Sequence, residues 1–283
     1  MLNQHMANIK TLSNASRSVS ILGANGFIGT AIVKNLMENG WKIKDTSVLD
    51  LANFKGHGMG DFIINCVGTA SLEEDVANRV NSVFPSELAK IATRLGSALI
   101  HFGSSAEYAP SRNPIKEDSP TKDADIYSKT KLLGSQAIID FGPEGKRIVL
   151  RPFGVIQRLL DPLPAHPSKL LSLIWKAQDD QELYINNPYA VRDLVGVNEI
   201  AKAVSKLVDF AFPWPKVLNV SSGIGHSMEE IISSVNPKVR INGEERKEID
   251  TYVGDPDLLK VLLGFEFEKD FKRILFKTID DNV

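Results

Sequence analysis

The 283-residue sequence has little of several features that mark other classes of protein. It has one cysteine, Cys66, so no disulfide can form within the chain, which fits a reducing compartment. No run approaches the roughly 18 apolar residues that a membrane-spanning helix needs. The formal net charge is −2 and Lys and Arg form no basic run, so no global field attracts nucleic acid or an anionic membrane. We therefore expect a cytoplasmic soluble protein with no nucleic-acid and no membrane partner.

Histidine is also scarce, and its distribution predicts no metal site. None of the five histidines stands at a metal-ligand spacing from another. His101 lies inside an apolar run and is interpreted as a satisfied core residue. The segment 1–17 is polar and lacks the apolar core of a signal peptide, so we expect it to be a mobile tail.

Short apolar runs alternate along the chain with segments of helical periodicity. The runs predict buried strands at 18–23, 47–51, 61–68, 97–105 and 147–152. The intervening segments predict helices at 23–40, at 72–95 with an interruption near Pro85, and at 124–141. Each run is apolar almost throughout, which is typical of strands covered on both faces. The pattern predicts an α/β fold with a doubly wound parallel sheet of the Rossmann type.

The pattern becomes irregular and rich in proline between residues 153 and 190. We therefore predict a dinucleotide-binding domain at 18–155, to which the chain returns around 184–221. The segments 156–183 and 222–283 are predicted to form a smaller substrate-binding lobe.

A glycine triplet, Gly23, Gly26 and Gly29, lies where the first predicted strand passes into the first predicted helix. Glycines at this spacing allow a tight turn, close approach of a pyrophosphate and close packing of helix on sheet. The helix N-terminus adds free N–H groups and a positive dipole end. An ordinary glycine-rich turn is the alternative, and the position between strand and helix favours a dinucleotide site.

A tyrosine and a lysine, Tyr127 and Lys131, stand four residues apart in the predicted helix 124–141. Residues at this spacing lie on one face of a helix. A nearby ammonium favours the phenolate, so we expect Lys131 to lower the pKa of Tyr127. A phenol tuned in this way can exchange a proton with an alcohol or a developing alkoxide. By itself the pair is more typical of an exposed helix surface.

Two serines, Ser104 and Ser105, end the predicted strand 97–105 and favour a functional role for Tyr127 and Lys131. The carboxyl end of a parallel strand faces the crevice where ligands bind in such sheets. Either hydroxyl could therefore bind a substrate oxygen beside Tyr127, although a turn or cap role is the alternative.

This order of motifs resembles the extended short-chain dehydrogenase/reductases, the NAD-dependent epimerase/dehydratase family. The matching stretches run from about residue 18 to 265: GANGFIG, NCVG, GSSAEYAP, YSKTK, LRPFGV and RDLVGVNEIAKAV. The resemblance implies a cofactor site formed by Gly23, Asn25, Gly26, Phe27, Ile28, Gly29, Asp50, Leu51, Cys66, Val67, Gly68, Asn81, Tyr127 and Lys131.

The resemblance also implies roles in catalysis and substrate binding. Tyr127 would be the acid/base, Lys131 would hold the nicotinamide ribose, and one of the two serines would complete the triad. Counting four residues back from Tyr108 selects Ser104, and Ser105 remains open. Glu107 and Arg192 are expected to contact substrate, Arg192 through a diphosphate. For Arg192 an ion pair with a carboxylate such as Asp193 is equally open, and Arg158 and Lys169 are weaker diphosphate candidates.

Departures from the family pattern leave the cofactor open between NAD and NADP. Ser47 stands where the family usually has the acidic residue that selects NAD. The stretch around Asp50 looks more like dTDP-4-dehydrorhamnose reductase, in which the equivalent of Asp50 lies near the adenine. A dehydratase is disfavoured, because only Glu107 is present where dehydratases have an Asp-Glu pair.

The resemblance implies hydride transfer between a nicotinamide and a nucleotide-linked sugar, by a 4-ketoreductase or a 4-epimerase. Two alternatives stay open: a reductase of a non-sugar carbonyl, and a non-catalytic protein that senses a dinucleotide or serves as a scaffold. A homodimer is one assembly that the resemblance leaves open.

Overall fold

A computed structural model describes residues 18–44, 54–210, 213–244 and 248–277. Its largest sheet has six strands, all parallel, in the spatial order β2-β1-β3-β4-β5-β9. These strands are β1 (Ser18–Leu22), β2 (Lys42–Lys44), β3 (Phe62–Asn65), β4 (Ala98–Phe102), β5 (Arg147–Pro152) and β9 (Val217–Val220). The predicted α/β fold with a parallel sheet is therefore confirmed.

Helices cover the sheet on both faces. In chain order they are α1 (Phe27–Glu38), α2 (Glu74–Asn78), α3 (Phe84–Leu95), α4 (Ile126–Asp140), α5 (Lys169–Asp179), α6 (Val197–Asp209), α7 (Met228–Val235), α8 (Asp257–Leu263) and α9 (Phe271–Phe276). One core lies between the sheet and α1 and α6, and a second lies between the sheet and α3 and α4. Apolar side chains of β1, β3, β4, β5 and β9 point alternately into the two cores, which explains why these strands are mostly apolar.

The strand order reverses between β1 and β3. The chain passes from β1 to β2 on one side and then crosses to β3 on the other side. Such a reversal opens a crevice outside the carboxyl ends of the two central strands. The glycine triplet follows β1 at this edge, and the segment 66–68 follows β3.

A smaller sheet and a third core lie beyond β5. Strand β8 pairs with three strands and β11 pairs with β7. The strands are β6 (Gly154–Ile156), β7 (Glu182–Tyr184), β8 (Val191–Gly196), β10 (Gly225–Ser227), β11 (Arg240–Asn242) and β12 (Thr251–Tyr252). Of the segment 184–221, β9 joins the central sheet and β8 does not. The division into two domains stays a prediction.

The proline-rich stretch is more regular than predicted. Between 153 and 190 the structure has β6, the 11-residue helix α5 and β7. Ser168 caps α5 by accepting from the Leu171 N–H at 3.1 Å, and Leu171 and Ile174 bury one face of the helix. The prolines lie before and after this helix and do not enter it, so the interpretation of the whole stretch as irregular was wrong.

Two other predicted elements differ in detail. The helical segment 72–95 is not broken at Pro85, because this proline lies in the first turn of α3, where its missing N–H costs little. A π-helical turn, Arg79–Val83, connects α2 to α3 instead. The strand β2 was missed, and the predicted strand 47–51 lies outside the described residues. Within the described residues, no helix is both long and apolar enough to cross a membrane.

Candidate active site

The glycine triplet forms a loop that fits against the end of β3. Gly23 has φ +77°, and a β-carbon on it would lie 3.0 Å from the backbone of Cys66 and Val67. A β-carbon on Gly29 would lie 2.1 Å from the Gly23 carbonyl oxygen, so only glycine allows α1 to pack this closely on the loop. Glycine is thus required at position 23 because of its positive φ, and at position 29 because no space is left for a β-carbon.

The loop ends at the N-terminus of α1, which points into the crevice. Gly26 is the N-cap and offers no side chain to the helix end, and Asn25 and Gly26 are exposed. The first-turn N–H groups, including those of Phe27 and Ile28, have no partner within the helix. A helix of 12 residues with an exposed, uncapped glycine N-terminus fits the pyrophosphate of a dinucleotide.

The second wall of the crevice is the segment Cys66, Val67 and Gly68. The Cys66 N–H donates to the Leu22 carbonyl at 2.9 Å, which holds this segment beside the glycine loop. Burial raises the pKa of the Cys66 thiol to about 12, so the thiol is not a nucleophile at neutral pH. A β-carbon on Gly68 would lie 3.6 Å from the Lys131 Nζ, which places the lysine at this wall.

Asn81 joins this wall to α4. Its side chain accepts from the Thr69 N–H at 2.9 Å and donates to the Thr69 carbonyl and the Thr130 hydroxyl at 2.9 and 3.1 Å. Asn81 lies in the π-helical turn, and a β-carbon on Gly134 of α4 would lie 1.9 Å from its carbonyl oxygen. The π turn and Gly134 therefore let α4 approach closely beside Lys131.

Helix α4 begins just before the tyrosine. Asp125 caps it by accepting from the Ser128 N–H at 2.7 Å. The Tyr127 phenol is half-buried and lies beside the side chain of Ser104, which caps the single 3₁₀ turn Ser105–Glu107 after β4. Of the two candidate serines, Ser104 is the one in contact with Tyr127.

The expected effect of Lys131 on Tyr127 is not found. Burial raises the pKa of the Tyr127 phenol, the neighbouring Ser104 side chain lowers it, and Glu107 and Asp125 raise it further. Lys131 is buried, and its ammonium donates to the carbonyl of Phe102, the last residue of β4. Burial also lowers the pKa of Lys131. The ammonium is thus directed at the strand end and not at the phenol.

Glu107 is enclosed by protein groups, which corrects its expected contact with substrate. It is fully buried, and its carboxylate accepts from the Ser104 N–H, the Ser135 hydroxyl and the Arg151 Nε–H, each at 2.8 Å. The carboxylate presents no free surface to a ligand in this arrangement.

Arg192 lines a separate open cleft of about 310 Å³. Its guanidinium is half-exposed and pairs with Asp250 at 2.7 Å, not with Asp193. The buried carboxylate of Asp193 instead accepts from Ser222, Gly223 and Gly254.

Of the two weaker diphosphate candidates, one lies at this cleft and the other does not. Lys169 lines the cleft, whereas Arg158 does not and pairs with Asp161 at 2.6 Å. Asp50 and Leu51, predicted to contact the adenine end of the cofactor, lie outside the described residues, as does Ser47.

Three residues of these sites were missed. Arg151 and Ser135 hold Glu107, and Asp250 holds Arg192. Arg151 follows an apolar run and Ser135 follows Lys131 by one helical turn, so their positions carried a weak signal. Asp250 is 58 residues from Arg192, and no local pattern links the two.

The fold and the glycine loop agree with a known family. The model of the NAD dependent epimerase/dehydratase family matches residues 19–221. The chain belongs to the NAD dependent epimerase/dehydratase family, and the resemblance stated from the sequence is confirmed.

Two curated relatives match part of the chain. Methionine adenosyltransferase 2 subunit beta of Xenopus laevis is 28% identical over 170 residues, which are 51% of this chain and 49% of that protein. The dTDP-4-dehydrorhamnose reductase of Mycolicibacterium smegmatis is 29% identical over 142 residues, 46% of this chain and 43% of that protein. The aligned part thus spans about half the length of the curated relatives.

Solved structures resemble the chain over nearly its whole length. MoeE5 in complex with UDP-glucuronic acid and NAD has a TM-score of 0.77 at 17% identity, covering 91% of this chain and 96% of that one. The UDP-N-acetylglucosamine 4-epimerase of Methanobrevibacter ruminantium has a TM-score of 0.76 at 21% identity, covering 93% and 97%. RMD of Pseudomonas aeruginosa, complexed with NADPH, has a TM-score of 0.76 at 17% identity, covering 92% and 96%. At these identities the likeness establishes the fold.

Proposed function

We propose that the chain transfers a hydride between a nicotinamide cofactor and a carbinol or ketone carbon of a nucleotide-linked sugar, as a 4-ketoreductase or a 4-epimerase. The observation that carries this proposal is the contact of the Tyr127 phenol with the Ser104 side chain, with Lys131 buried on the same helix face. These three groups lie at the carboxyl ends of β3 and β4, beside the glycine loop. NAD or NADP would supply or accept the hydride when bound.

Each of the three side chains has a distinct task in this proposal. The Tyr127 phenol, neutral because burial raises its pKa, holds the proton that a developing alkoxide needs. The Ser104 hydroxyl orients the same substrate oxygen. Lys131, held between the Phe102 carbonyl and Gly68, would bind the ribose hydroxyls of the cofactor.

The nucleotide half of the substrate would occupy the cleft lined by Arg192. The cleft presents the cations Arg192 and Lys169, the amides Asn186 and Asn187, and apolar side chains from α5. Guanidinium groups suit phosphate oxygens, and apolar walls suit a base. MoeE5, which resembles this chain in fold, was solved with UDP-glucuronic acid, and this likeness supports a substrate of that class.

Turnover with a panel of nucleotide sugars and both cofactors tests the proposal. A 4-ketoreductase oxidises NADH or NADPH stoichiometrically with a 4-keto sugar nucleotide, whereas a 4-epimerase interconverts two sugar nucleotides without net consumption of cofactor. The cofactor that remains bound on purification adds a second readout, because tightly held NAD favours the epimerase and easily lost NADPH favours the reductase. Turnover of a simple ketone alone would contradict the sugar assignment.

The names of several curated relatives favour a second candidate, a dinucleotide-binding subunit without turnover. Methionine adenosyltransferase 2 subunit beta is by name one subunit of a larger enzyme, and it matches half of this chain. In that case the cofactor would raise the melting temperature by mass action while no substrate is consumed. The retained Ser104, Tyr127 and Lys131 favour the enzyme, since a non-catalytic subunit has no chemical need for all three.

A further inference from the structure

One carboxylate beneath the candidate active site joins three separate elements. Glu107 follows Ser104 by three residues, at the end of the 3₁₀ turn. Its Oε1 accepts from the Ser104 N–H of that turn and from the Ser135 hydroxyl of α4, and its Oε2 accepts from Arg151 of β5. Because all three partners are donors, the ionised carboxylate satisfies every contact and no proton is needed.

This arrangement is costly as a way of filling a core. The side chains of Glu107 and Arg151 are 0% and 4% exposed, so both charges are removed from water. A buried ion pair is often no more stable than apolar residues of the same volume. Arg151 is also held over the ring of Tyr108 at 4.4 Å, which fixes the guanidinium from a second side. Stability alone therefore gives little reason for an ion pair at this position.

The location of Glu107 suggests what the pair does. Ser135 lies four residues after Lys131 and eight after Tyr127, on the same side of α4. Glu107 thus holds α4 through Ser135 and the serine turn through the Ser104 N–H. The two elements that bring Ser104 and Tyr127 together are therefore tied to one carboxylate.

The same carboxylate is a charge close to the two titrating groups. Glu107 raises the pKa of Tyr127 and also that of Lys131. The other ionisable groups that act on them are Asp125 at the start of α4, on Tyr127, and the Cys66 thiol after β3, on Lys131. Arg151 and Tyr108 face Glu107 from the opposite side.

We propose that Glu107 is a positioning residue of the reaction: with Arg151 it fixes the Ser104–Tyr127 contact, and its carboxylate places a negative charge beside Tyr127 and Lys131. The positioning effect rests on the proposed function, because it is measured by turnover. The effect of the Glu107 charge on Tyr127 is a property of the protein alone. The proposal assigns Glu107 a task that requires no contact with substrate.

Two substitutions separate position from charge. Glu107→Gln keeps the length of the side chain and removes the charge, whereas Glu107→Asp keeps the charge and shortens the reach by one methylene. In Glu107→Gln, Tyr127 is expected to titrate at lower pH than in the wild type, because the carboxylate no longer opposes the phenolate. In Glu107→Asp, the titration is expected to stay close to that of the wild type, while kcat falls by about 10²-fold through misplacement of Ser104.

The titration is read from tyrosinate absorbance without any substrate. Each variant is compared with the same variant carrying Tyr127→Phe, and the difference isolates Tyr127 from the other four of the five tyrosines. If Tyr127 titrates at the wild-type pH in Glu107→Gln, the charge effect is refuted. If Glu107→Asp keeps the wild-type kcat, the positioning effect is refuted.

Folding is controlled by a second variant. Glu107→Gln leaves the Arg151 charge buried and unpaired, which can prevent folding. The double variant Glu107→Gln with Arg151→Met removes both charges, and Tyr127 is again expected to titrate below the wild-type pH. Should the titration shift as expected while no sugar nucleotide is turned over by the wild type, the proposed function fails and the charge effect of Glu107 stands.

Discussion

The sheet edge around Tyr127 and the cleft around Arg192 are built in different ways. At the sheet edge the functional groups are buried or half-buried, and close backbone approaches at Gly29 and Gly134 fix the elements that carry them. In the cleft, Arg192 and its partner Asp250 are 29% and 28% exposed, and the walls come from distant parts of the chain. The first region is rigid by packing, while the second depends on an ion pair that a ligand can compete for.

Because of this difference, we expect substitutions in the two regions to change different properties of the protein. A buried hydrogen bond in a closely packed site is worth more than a partly exposed ion pair, because water competes less for it. We therefore expect substitutions at the sheet edge to change chemistry or folding, and substitutions in the cleft to change affinity. The following predictions test that contrast in order of decreasing effect.

Removal of the Tyr127 hydroxyl is expected to have the largest effect. Tyr127→Phe should lower turnover by ~10²–10⁴-fold, because a positioned proton donor contributes this much to the rate. Cofactor binding and the melting temperature should stay near the wild-type values, since little volume is lost. Tyr184→Phe, at an exposed position of β7, is the control and should keep wild-type turnover. Near-normal activity of Tyr127→Phe would assign the proton transfer to another group.

Removal of the Arg192 guanidinium is expected to affect one ligand only. A charge-assisted contact is worth ~1.5–3 kcal/mol, so Arg192→Ala should weaken binding of a nucleoside diphosphate by about ten- to a hundredfold. Affinity for NAD or NADP should not change. Isothermal titration of both ligands measures this, with Arg158→Ala as the control because Arg158 does not line the cleft. If Arg192→Ala and Arg158→Ala lost the same affinity for the nucleoside diphosphate, the cleft would not be the nucleotide site.

A methyl group on Gly29 is expected to destabilise the fold. Its β-carbon would lie 2.1 Å from the Gly23 oxygen, and overpacking of this kind costs ~1–3 kcal/mol. The clash should outweigh the ~1 kcal/mol that alanine gains over glycine inside a helix. Gly26→Ala, whose β-carbon would lie 3.2 Å from the same oxygen, should cost less. Urea unfolding of both variants measures the difference, and equal stabilities would contradict the close approach.

His101 is expected to give the smallest effect, on the pH dependence of stability. Its Nδ1 bonds to Asn65 at 3.0 Å, but its Nε2 has no partner among the described residues, so it is only partly the satisfied core residue that was predicted. Burial, aided by the charge of Lys131, holds the pKa of His101 well below 6.5. The folded protein therefore stays unprotonated there while the unfolded chain takes up a proton near pH 6.5, so stability is lost as pH falls below that value.

His101→Gln removes this proton uptake. Below pH 6.5 the free energy of unfolding should fall less steeply than in the wild type, by up to about 1.4 kcal/mol per pH unit. Urea unfolding of both proteins between pH 5 and 7 measures the slopes. Parallel slopes would show that His101 is protonated equally in both states.

The predictable part of the fold is the part that local patterns encode. The strands around Ile21, Ile64 and Ile100 are apolar throughout because both faces are covered, and this is visible in the sequence. Helix α5 was missed because prolines before Ser168 hid a short amphipathic pattern. The short strand β2 was missed because its KIK sequence carries little apolar signal.

In the candidate site, too, local spacing was predictable from the sequence and contacts between distant residues were not. The spacing of Tyr127 and Lys131 places both on one helix face, as predicted, but it does not tell where the ammonium points. That direction depends on the Phe102 carbonyl, which only the packing of α4 against β4 brings within reach. Similarly, the choice between Ser104 and Ser105 depends on the 3₁₀ turn, whose cap turns one hydroxyl towards Tyr127.

The sequence by itself determined the parallel sheet, the glycine loop before α1 and the shared helix face of Tyr127 and Lys131, because each follows from residue types at short spacing. Only the tertiary structure decided the partners of the buried and half-buried charges. Glu107 meets Arg151 and Arg192 meets Asp250 across 44 and 58 residues of chain. Such pairs depend on how helices and strands pack, since a charge removed from water pairs with whichever opposite charge the fold brings within reach.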